Sequence, residues 1–307
     1  MIADGSSAVV AVVGPTAAGK TDLSLDLAET LGGEVVNTDS MQVYRGMDVG
    51  TAKLPEAERR GITHHLLDVL DVTEPATVAE FQGWARAVVD DCRGRGVVPV
   101  LVGGSALYTR AVLDRFEFPG TDPTVRAALE ILLEVEGAEA MHARLAAVDP
   151  VAAAAIIPTN GRRVVRALEV VEITGKPFSA TLPRLEYFYD HAVQVGVDIP
   201  RDVLDERIER RVRHMWEAGL VDEVRRLAGA GLRQGRTAQR ALGYQQVLAF
   251  LDGEISEDEA FEQTVAGTRR FARKQDAWFR KDPRITWVRW DDPDRVAHAV
   301  SAVRTVD

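Results

Sequence analysis

Near the start of the chain, Gly14-Pro15-Thr16-Ala17-Ala18-Gly19-Lys20-Thr21 follows the spacing G-x-x-x-x-G-K-[ST]. Glycines at these positions let successive backbone N–H groups curl around phosphate oxygens. Lys20 adds a positive charge, and the Thr21 hydroxyl is placed to touch a bound Mg²⁺. The chemistry on offer is a grip on the phosphates of a nucleotide or an organic diphosphate. The loop does not name the reaction, because kinases, NTPases and transferases that expel diphosphate all use such a cradle.

A second group follows the strand-like run Glu34-Val35-Val36-Asn37-Thr38, which leads into Asp39-Ser40-Met41-Gln42-Val43-Tyr44-Arg45-Gly46. The carboxyl end of a parallel strand is where ligands bind in open α/β sheets, so Asp39 is expected to face the phosphate loop. A carboxylate there can act as general base for an attacking amine; the alternative is an N-cap for a following helix. A P-loop ATPase would carry an aspartate at the end of another apolar strand to hold Mg²⁺. Here Val97-Val98-Pro99-Val100-Leu101-Val102 ends in Gly103-Gly104-Ser105, a pair that permits close backbone approach followed by a neutral hydroxyl. Routine ATP hydrolysis is therefore disfavoured.

The elements that must hold these groups read as strand Ala8 to Val13, helix Lys20 to Leu31, strand Glu34 to Thr38, helix Val78 to Arg93 and strand Val97 to Val102. This alternation predicts an α/β fold, a P-loop doubly wound parallel sheet. From Asp122-Pro123 the signals turn helical, through an Ala-rich stretch to Ala147 and a helix Arg162 to Thr174 ended by Gly175. A strand Ala192 to Ile199, helices from Arg201 to Ala228, further helix to Arg280 and a last strand Arg284 to Trp290 complete the pattern. The expected organisation is a catalytic core of residues 1–117 and 191–307, interrupted by a helical insertion domain at 118–190.

The chain has 307 residues, 46% of them hydrophobic, enough for a sizeable core. Its early apolar run, Ala8 to Val13, is too short for a membrane span and lacks a preceding Lys or Arg, so a soluble, cytoplasmic protein is expected. The single cysteine, Cys92, reads as a small core residue with no metal-ligand spacing around it. His64 and His65 are neighbours on an extended segment, so they point to opposite faces, and no zinc site is expected. The net charge of −10 argues against coating nucleic acid by bulk attraction. Local basic stretches could still bind RNA: five arginines lie between Arg225 and Arg240, and others cluster at Arg162, Arg163 and Arg166 and between Arg269 and Lys281. A solvated helix face is the commoner use of such runs.

Taken together, Gly14 to Thr21, Asp39 to Lys53, His64-His65-Leu66-Leu67-Asp68, Gly103-Gly104-Ser105-Ala106-Leu107-Tyr108, Asn160 to Val170 and Arg273-Lys274-Gln275-Asp276-Ala277-Trp278-Phe279-Arg280 resemble the tRNA dimethylallyltransferase, or tRNA isopentenyltransferase, family. The blocks occur in the family's order and cover residues from about 9 to 290.

The resemblance implies a prenyltransferase that moves a dimethylallyl group from dimethylallyl diphosphate to N6 of the adenosine 3′ of the anticodon, in tRNAs reading codons that begin with U. The products would be N6-dimethylallyladenosine and diphosphate, and Mg²⁺ would be the cofactor. By matching position, Asp39, Lys20 and Ser105 would be catalytic, with Ser105 standing where the family usually has threonine. Gly14 to Thr21 and Arg211 would hold the diphosphate, with Thr21 on the metal; for Arg211 a plain solvent role stays open. The tRNA anticodon stem-loop would meet Asp39, Ser40, Met41, Gln42, Ser105, Arg126, Arg162, Arg163, Arg166, Arg240, Gly243, Tyr244, Arg273, Lys274, Gln275, Trp278 and Arg280. Its adenosine would flip out of its stack to be reached, with the insertion clasping the anticodon. Tyr44, Tyr244, Trp216 and Trp278 invite a stacking role, against which a core position is the commoner use. No obligatory protein partner and no membrane are implied. A small-molecule kinase, an adenylate isopentenyltransferase acting on a free nucleotide, and a non-catalytic phosphate- or RNA-binding module are the competing readings. The helical insertion and the Arg-rich later blocks favour the larger RNA acceptor.

Overall fold

A computed structural model describes residues 8–116, 118–181 and 185–305. It divides into two compact units, one comprising the chain up to Leu113 together with Tyr187 onwards, the other spanning Asp114–Glu186. The sequence expectation had put the second at 118–190. Tyr189 belongs to the core of the first unit and Tyr187 packs against that core. The Phe188 N–H donates to Leu113 O at 2.7 Å.

In the first unit the order is β1 (Val9–Val13), α1 (Lys20–Leu31), β2 (Gly33–Asn37), β3 (His64–His65), α2 (Val78–Gly94), β4 (Val98–Val102) and α3 (Ala106–Leu113). The second unit contributes α4 (Pro123–Glu136), α5 (Ala138–Val148), α6 (Pro150–Ala155) and α7 (Gly161–Thr174). The first resumes with β5 (Ala192–Asp198), α8 (Arg201–Glu217), α9 (Leu220–Gly229), α10 (Tyr244–Leu251), α11 (Glu257–Phe279), β6 (Ile285–Arg289) and α12 (Arg295–Arg304). The strands form one parallel sheet ordered β3-β2-β4-β1-β5-β6. The two-residue β3 and α12 had no counterpart in the sequence reading. The stretch Arg201 to Ala228 is two helices, because Gly219 adopts φ 92 between them.

Strand β1 is apolar at every position because it is buried on both faces, as a central parallel strand must be. Its alternation still matters. Val9, Ala11 and Val13 enter one core with α2, α3, α9 and α10, whereas Val10 and Val12 enter another with α1 and α12. The two cores clamp the central strand, and so fix where the phosphate loop leaves it.

The second unit has its own core, built on Leu129, Met141, Leu145 and Val164. Its helices begin with side-chain caps: Asp122 for α4, Asp149 for α6 and Asn160 for α7. Gly175 ends α7 in the left-handed region, as its sequence position predicts. Glu169 is wholly buried in this unit, accepting from Thr121, Arg126 and Arg166.

At the start of β2, Glu34 gathers three partners that lie far apart in sequence. His65 Nε2 stands 2.7 Å from its carboxylate, Cys92 Sγ 3.5 Å, and Arg95 donates to both oxygens at 2.9 and 2.7 Å. Glu34, His65 and Cys92 thus bring ligand atoms within 4.8 Å of one another, a proximity that sequence spacing could not reveal. The Arg95 guanidinium, followed by the His65 and Cys92 contacts, outweighs burial and holds the Glu34 carboxyl down at about 2. Burial and the facing carboxylate push the Cys92 thiol up to about 11, so it is inert as a nucleophile at neutral pH.

A carboxyl that titrates below its ordinary value stabilises the fold above that ordinary value, and the contribution is lost as pH falls through the folded one. Glu34→Gln is expected to lower the melting temperature near neutral pH. It should also flatten the decline between pH 4.5 and about 2, followed by circular dichroism. An unchanged acid slope would remove Glu34 from this account.

Candidate active site

The phosphate loop leaves β1 and closes into α1. Gly19, at φ 101, is the N-cap of α1, a conformation open to glycine at little cost. The amides of Ala17 and Gly19 have no partner among the described residues, and those of Lys20 and Thr21 open the helix, where no intrahelical acceptor exists. Unpaired amides at a helix N-terminus form an anion cradle. The amides of Thr16 and Ala18 are not part of it, because the first donates to Gln275 Oε1 at 2.9 Å and the second to Pro15 O at 3.3 Å.

Lys20 Nζ turns back onto Pro15 O at 2.7 Å. Arg211, on α8, donates to Thr51 O at 3.2 Å. Both are partly exposed and line the crevice. Burial, then the neighbouring Arg211 charge, brings the Lys20 ammonium down to about 7, with Asp39 working in the other direction. Burial likewise lowers Arg211, against the pull of Asp39. The crevice therefore holds cationic groups short of negative charge.

Two cavities meet here, sharing Lys20, Thr21 and Arg211. One, of about 380 Å³, is lined also by Arg207, Arg210 and His214, with Asp22 the one carboxylate among them. The other, of about 100 Å³, is lined by Asp39, Asn37, Gln42, His64, Gly103 and Gly104, with an apolar wall of Val35, Leu54, Leu67 and Val102 and with Phe271 and Gln275 from α11. Thr21 is exposed, and its hydroxyl has no hydrogen bond among the described residues, so an oxygen ligand for a hard cation is available. A larger cavity of about 520 Å³ lies among Tyr187, Arg284 and α12 at the amino end of β5. That is the wrong edge for ligand chemistry in a parallel sheet.

Asp39 stands just past the end of β2, where the strand pattern placed it. No helix follows it, so the N-cap alternative does not hold. Its Oδ1 instead accepts from the Met41 N–H at 2.8 Å, two residues on. The other carboxylate oxygen has no partner among the described residues. Buried Asn37 fixes the turn, accepting from the Asp39 N–H at 2.9 Å and donating to Asp39 O at 3.1 Å and Leu66 O at 3.0 Å. Sequence reasoning missed Asn37; a polar residue ending an otherwise apolar strand was its signal.

Gln275 is the second omission of role. Its Oε1 takes the Thr16 N–H while its Nε2 donates to Gly104 O at 2.8 Å, tying the phosphate loop to the turn after β4. A Cβ on Gly104 would stand 2.3 Å from that Nε2, which is why the position is glycine. Gln275 is buried and bonded within the protein, so its expected place among RNA contacts is corrected to a structural tie.

Other expected contacts divide sharply. Tyr244 is wholly buried, its hydroxyl donating to Glu223 at 2.6 Å, and cannot offer a ring to a base; Gly243 beside it is buried too. Tyr44 is wholly buried, and Trp216 packs edge-on against Phe261. Arg126 and Arg166 share the buried carboxylate of Glu169, and Arg280 pairs with Asp198 and Asp276 while it stacks on Trp287. These are corrections with one cause, a carboxylate or core unseen in a charge run. Ser105 sits at the entrance to α3 and does not line the small cavity, nor do Ser40 and Met41, although all three are half-exposed. Arg162, Arg163, Arg240, Arg273 and Lys274 have side chains without partners among the described residues, and Trp278 is exposed beneath Arg110.

The sequence model of the IPP transferase family matches residues 42–282. The chain belongs to the IPP transferase family. Among relatives, the tRNA dimethylallyltransferase of Nocardioides sp. is 66% identical over 96% of this chain and 95% of its own length. That of Thermobifida fusca is 61% identical over 97% and 94%. Among solved structures, the full-length tRNA isopentenylpyrophosphate transferase from Bacillus halodurans is 39% identical, with a TM-score of 0.72 over 98% of both chains. A eukaryotic dimethylallyltransferase acting on tRNA, 26% identical, gives a TM-score of 0.82 over 96% of this chain and 77% of that one. The six-stranded parallel sheet is thus the P-loop-type sheet of the IPP transferases.

The Gln275 tie is testable in the IPP transferase by stability alone. Gly104→Ala is expected to destabilise the protein by about 1–3 kcal/mol through overpacking. Adding Gln275→Ala should cost less than the sum of the single changes, because the clashing amide is gone. Strict additivity in denaturant melts would refute the contact.

Proposed function

We propose that this protein transfers a dimethylallyl group from dimethylallyl diphosphate to N6 of the adenosine next to the anticodon of tRNA. The observation that carries this reading is the pairing of two compartments across Lys20 and Arg211, one in which Arg207, Arg210, Lys20 and Arg211 outnumber the single carboxylate of Asp22, and one holding Asp39 beside an apolar wall. The diphosphate belongs with the cations, and the allylic carbon with Val35, Leu54, Leu67 and Val102.

In the reaction the allylic C–O bond breaks, its electron pair leaves on the diphosphate, and the N6 lone pair forms the new C–N bond. The amine proton passes to Asp39. Adenine's exocyclic nitrogen is a weak base because its lone pair is delocalised, so this proton must depart as the bond forms. The loop amides, Lys20 and Arg211 face the leaving group, where charge grows. A divalent cation such as Mg²⁺ would be held by Thr21 Oγ1 and would add to that stabilisation. His64, its imidazole lowered by burial, lines the acceptor side as a neutral ring.

For the RNA, the unpartnered Arg162, Arg163, Arg240, Arg273 and Lys274 suit contacts to the phosphate backbone. No helix among the described residues is long and apolar enough to cross a membrane, which accords with a cytoplasmic substrate. Belonging to a family whose relatives carry this activity's name over nearly the whole chain supports tRNA over a free nucleotide.

Incubation with Mg²⁺, labelled dimethylallyl diphosphate and an anticodon stem-loop bearing three consecutive adenosines is expected to label the RNA; label on free AMP alone would reassign the acceptor. Asp39→Ala should lower turnover by about 10²- to 10⁴-fold while leaving diphosphate affinity largely intact. Lys20→Ala should raise the KM for dimethylallyl diphosphate, and normal saturation would contradict its role.

A further inference from the structure

One large aromatic side chain stands at the crevice beside the phosphate loop and Asp39. Phe271 is 44% exposed and lines the same cavity as Asp39 and Arg211. It is the only carbocyclic aromatic side chain among the described residues of that lining. It sits one turn before Gln275 on α11, and residues four apart share a helix face. The two Gln275 hydrogen bonds to Thr16 and Gly104 therefore also aim Phe271 over the crevice. The apolar wall formed by Val35, Leu54, Leu67 and Val102 is less accessible than this ring, and Val35 is buried outright. A five-carbon chain suits that wall. An exposed ring at the mouth suits a flat ligand arriving from solvent.

Arg270, Arg273 and Lys274 flank it on α11, with no partners among the described residues. A ring bordered by free cations is the arrangement that receives an unstacked base together with its phosphates.

We propose that Phe271 is the platform on which the acceptor adenine stacks, holding N6 towards Asp39. This rests on the reading of the crevice as a site for alkylating an adenosine in RNA. Phe271 would then be a residue that positions the acceptor and has no part in binding dimethylallyl diphosphate.

The test compares the full-length protein with Phe271→Ala, Phe271→Leu, Phe271→Tyr and Phe271→Trp. Each is assayed for transfer to the anticodon stem-loop and titrated with a stem-loop carrying unreactive 2-aminopurine at the target position. Loss of stacking is expected to lower kcat/KM for RNA by about 10- to 100-fold in the Ala and Leu variants. The Tyr and Trp variants should recover most of it, with the KM for dimethylallyl diphosphate unmoved in all four. The 2-aminopurine fluorescence should be quenched on binding the wild type and less quenched by Phe271→Ala. Recovery by Leu with a raised KM for dimethylallyl diphosphate would make Phe271 part of the allyl wall and overturn the proposal, as would equal losses in all four variants. A wild type that quenches 2-aminopurine through Phe271 yet alkylates no adenosine would sink the transferase reading and leave the stacking site standing.

Discussion

The crevice at the carboxyl edge of the sheet is short of negative charge, and much of its architecture answers to that. Lys20 and Arg211 are both lowered by burial, and Asp39 is the opposing charge that acts on each. Burying an ammonium and a guanidinium together is unfavourable unless something compensates. In the structure the compensation is partial: Pro15 O for Lys20 and Thr51 O for Arg211, both neutral carbonyls. An anionic ligand placed between the two cations would offset that burial.

The carbonyl that receives Arg211 is itself held with care. Glu223 is buried and accepts from the amides of Asp48, Val49 and Gly50 at 3.1, 2.8 and 3.1 Å, as well as from the Tyr244 hydroxyl. Lys53, also buried, joins Tyr44 O to Asp48 and Asp68. These bonds fix the segment from Gly46 to Lys53, and with it Thr51 O. Tyr244 thus acts on the site from within the core, through Glu223, while Gln275 acts on it from α11. Both hold loops that would otherwise be free to open.

What was legible in the sequence was whatever is local. The phosphate loop and Asp39 each follow a strand directly, so a motif and a strand end suffice to place them. The helix caps Asp122 and Gly175 were legible for the same reason. Gln275 was not, because its partners lie 259 and 171 residues away, and no spacing encodes a contact of that length. Arg126 and Arg166 failed differently: a run of arginines looks alike whether it meets solvent or a carboxylate, and nothing local marks Glu169 as buried. Phe271 was passed over because one aromatic among charges on a long helix carries no period; only its register with Gln275 gives it a direction.

The same neutralisation explains how a chain of net charge −10 can receive a polyanion. Arg225, Arg233, Arg269 and Arg280 each lean on an acidic neighbour, so they contribute little field beyond their own pairs. Among the described residues the cations whose side chains have no partner include Arg162 and Arg163 on α7, Arg240, and Arg270, Arg273 and Lys274 on α11. At physiological ionic strength charge is felt over about 8 Å, so RNA meets repulsion from most of the surface and attraction only close to these residues. Affinity built this way is modest for RNA of arbitrary shape and depends on matching several separate cations at once.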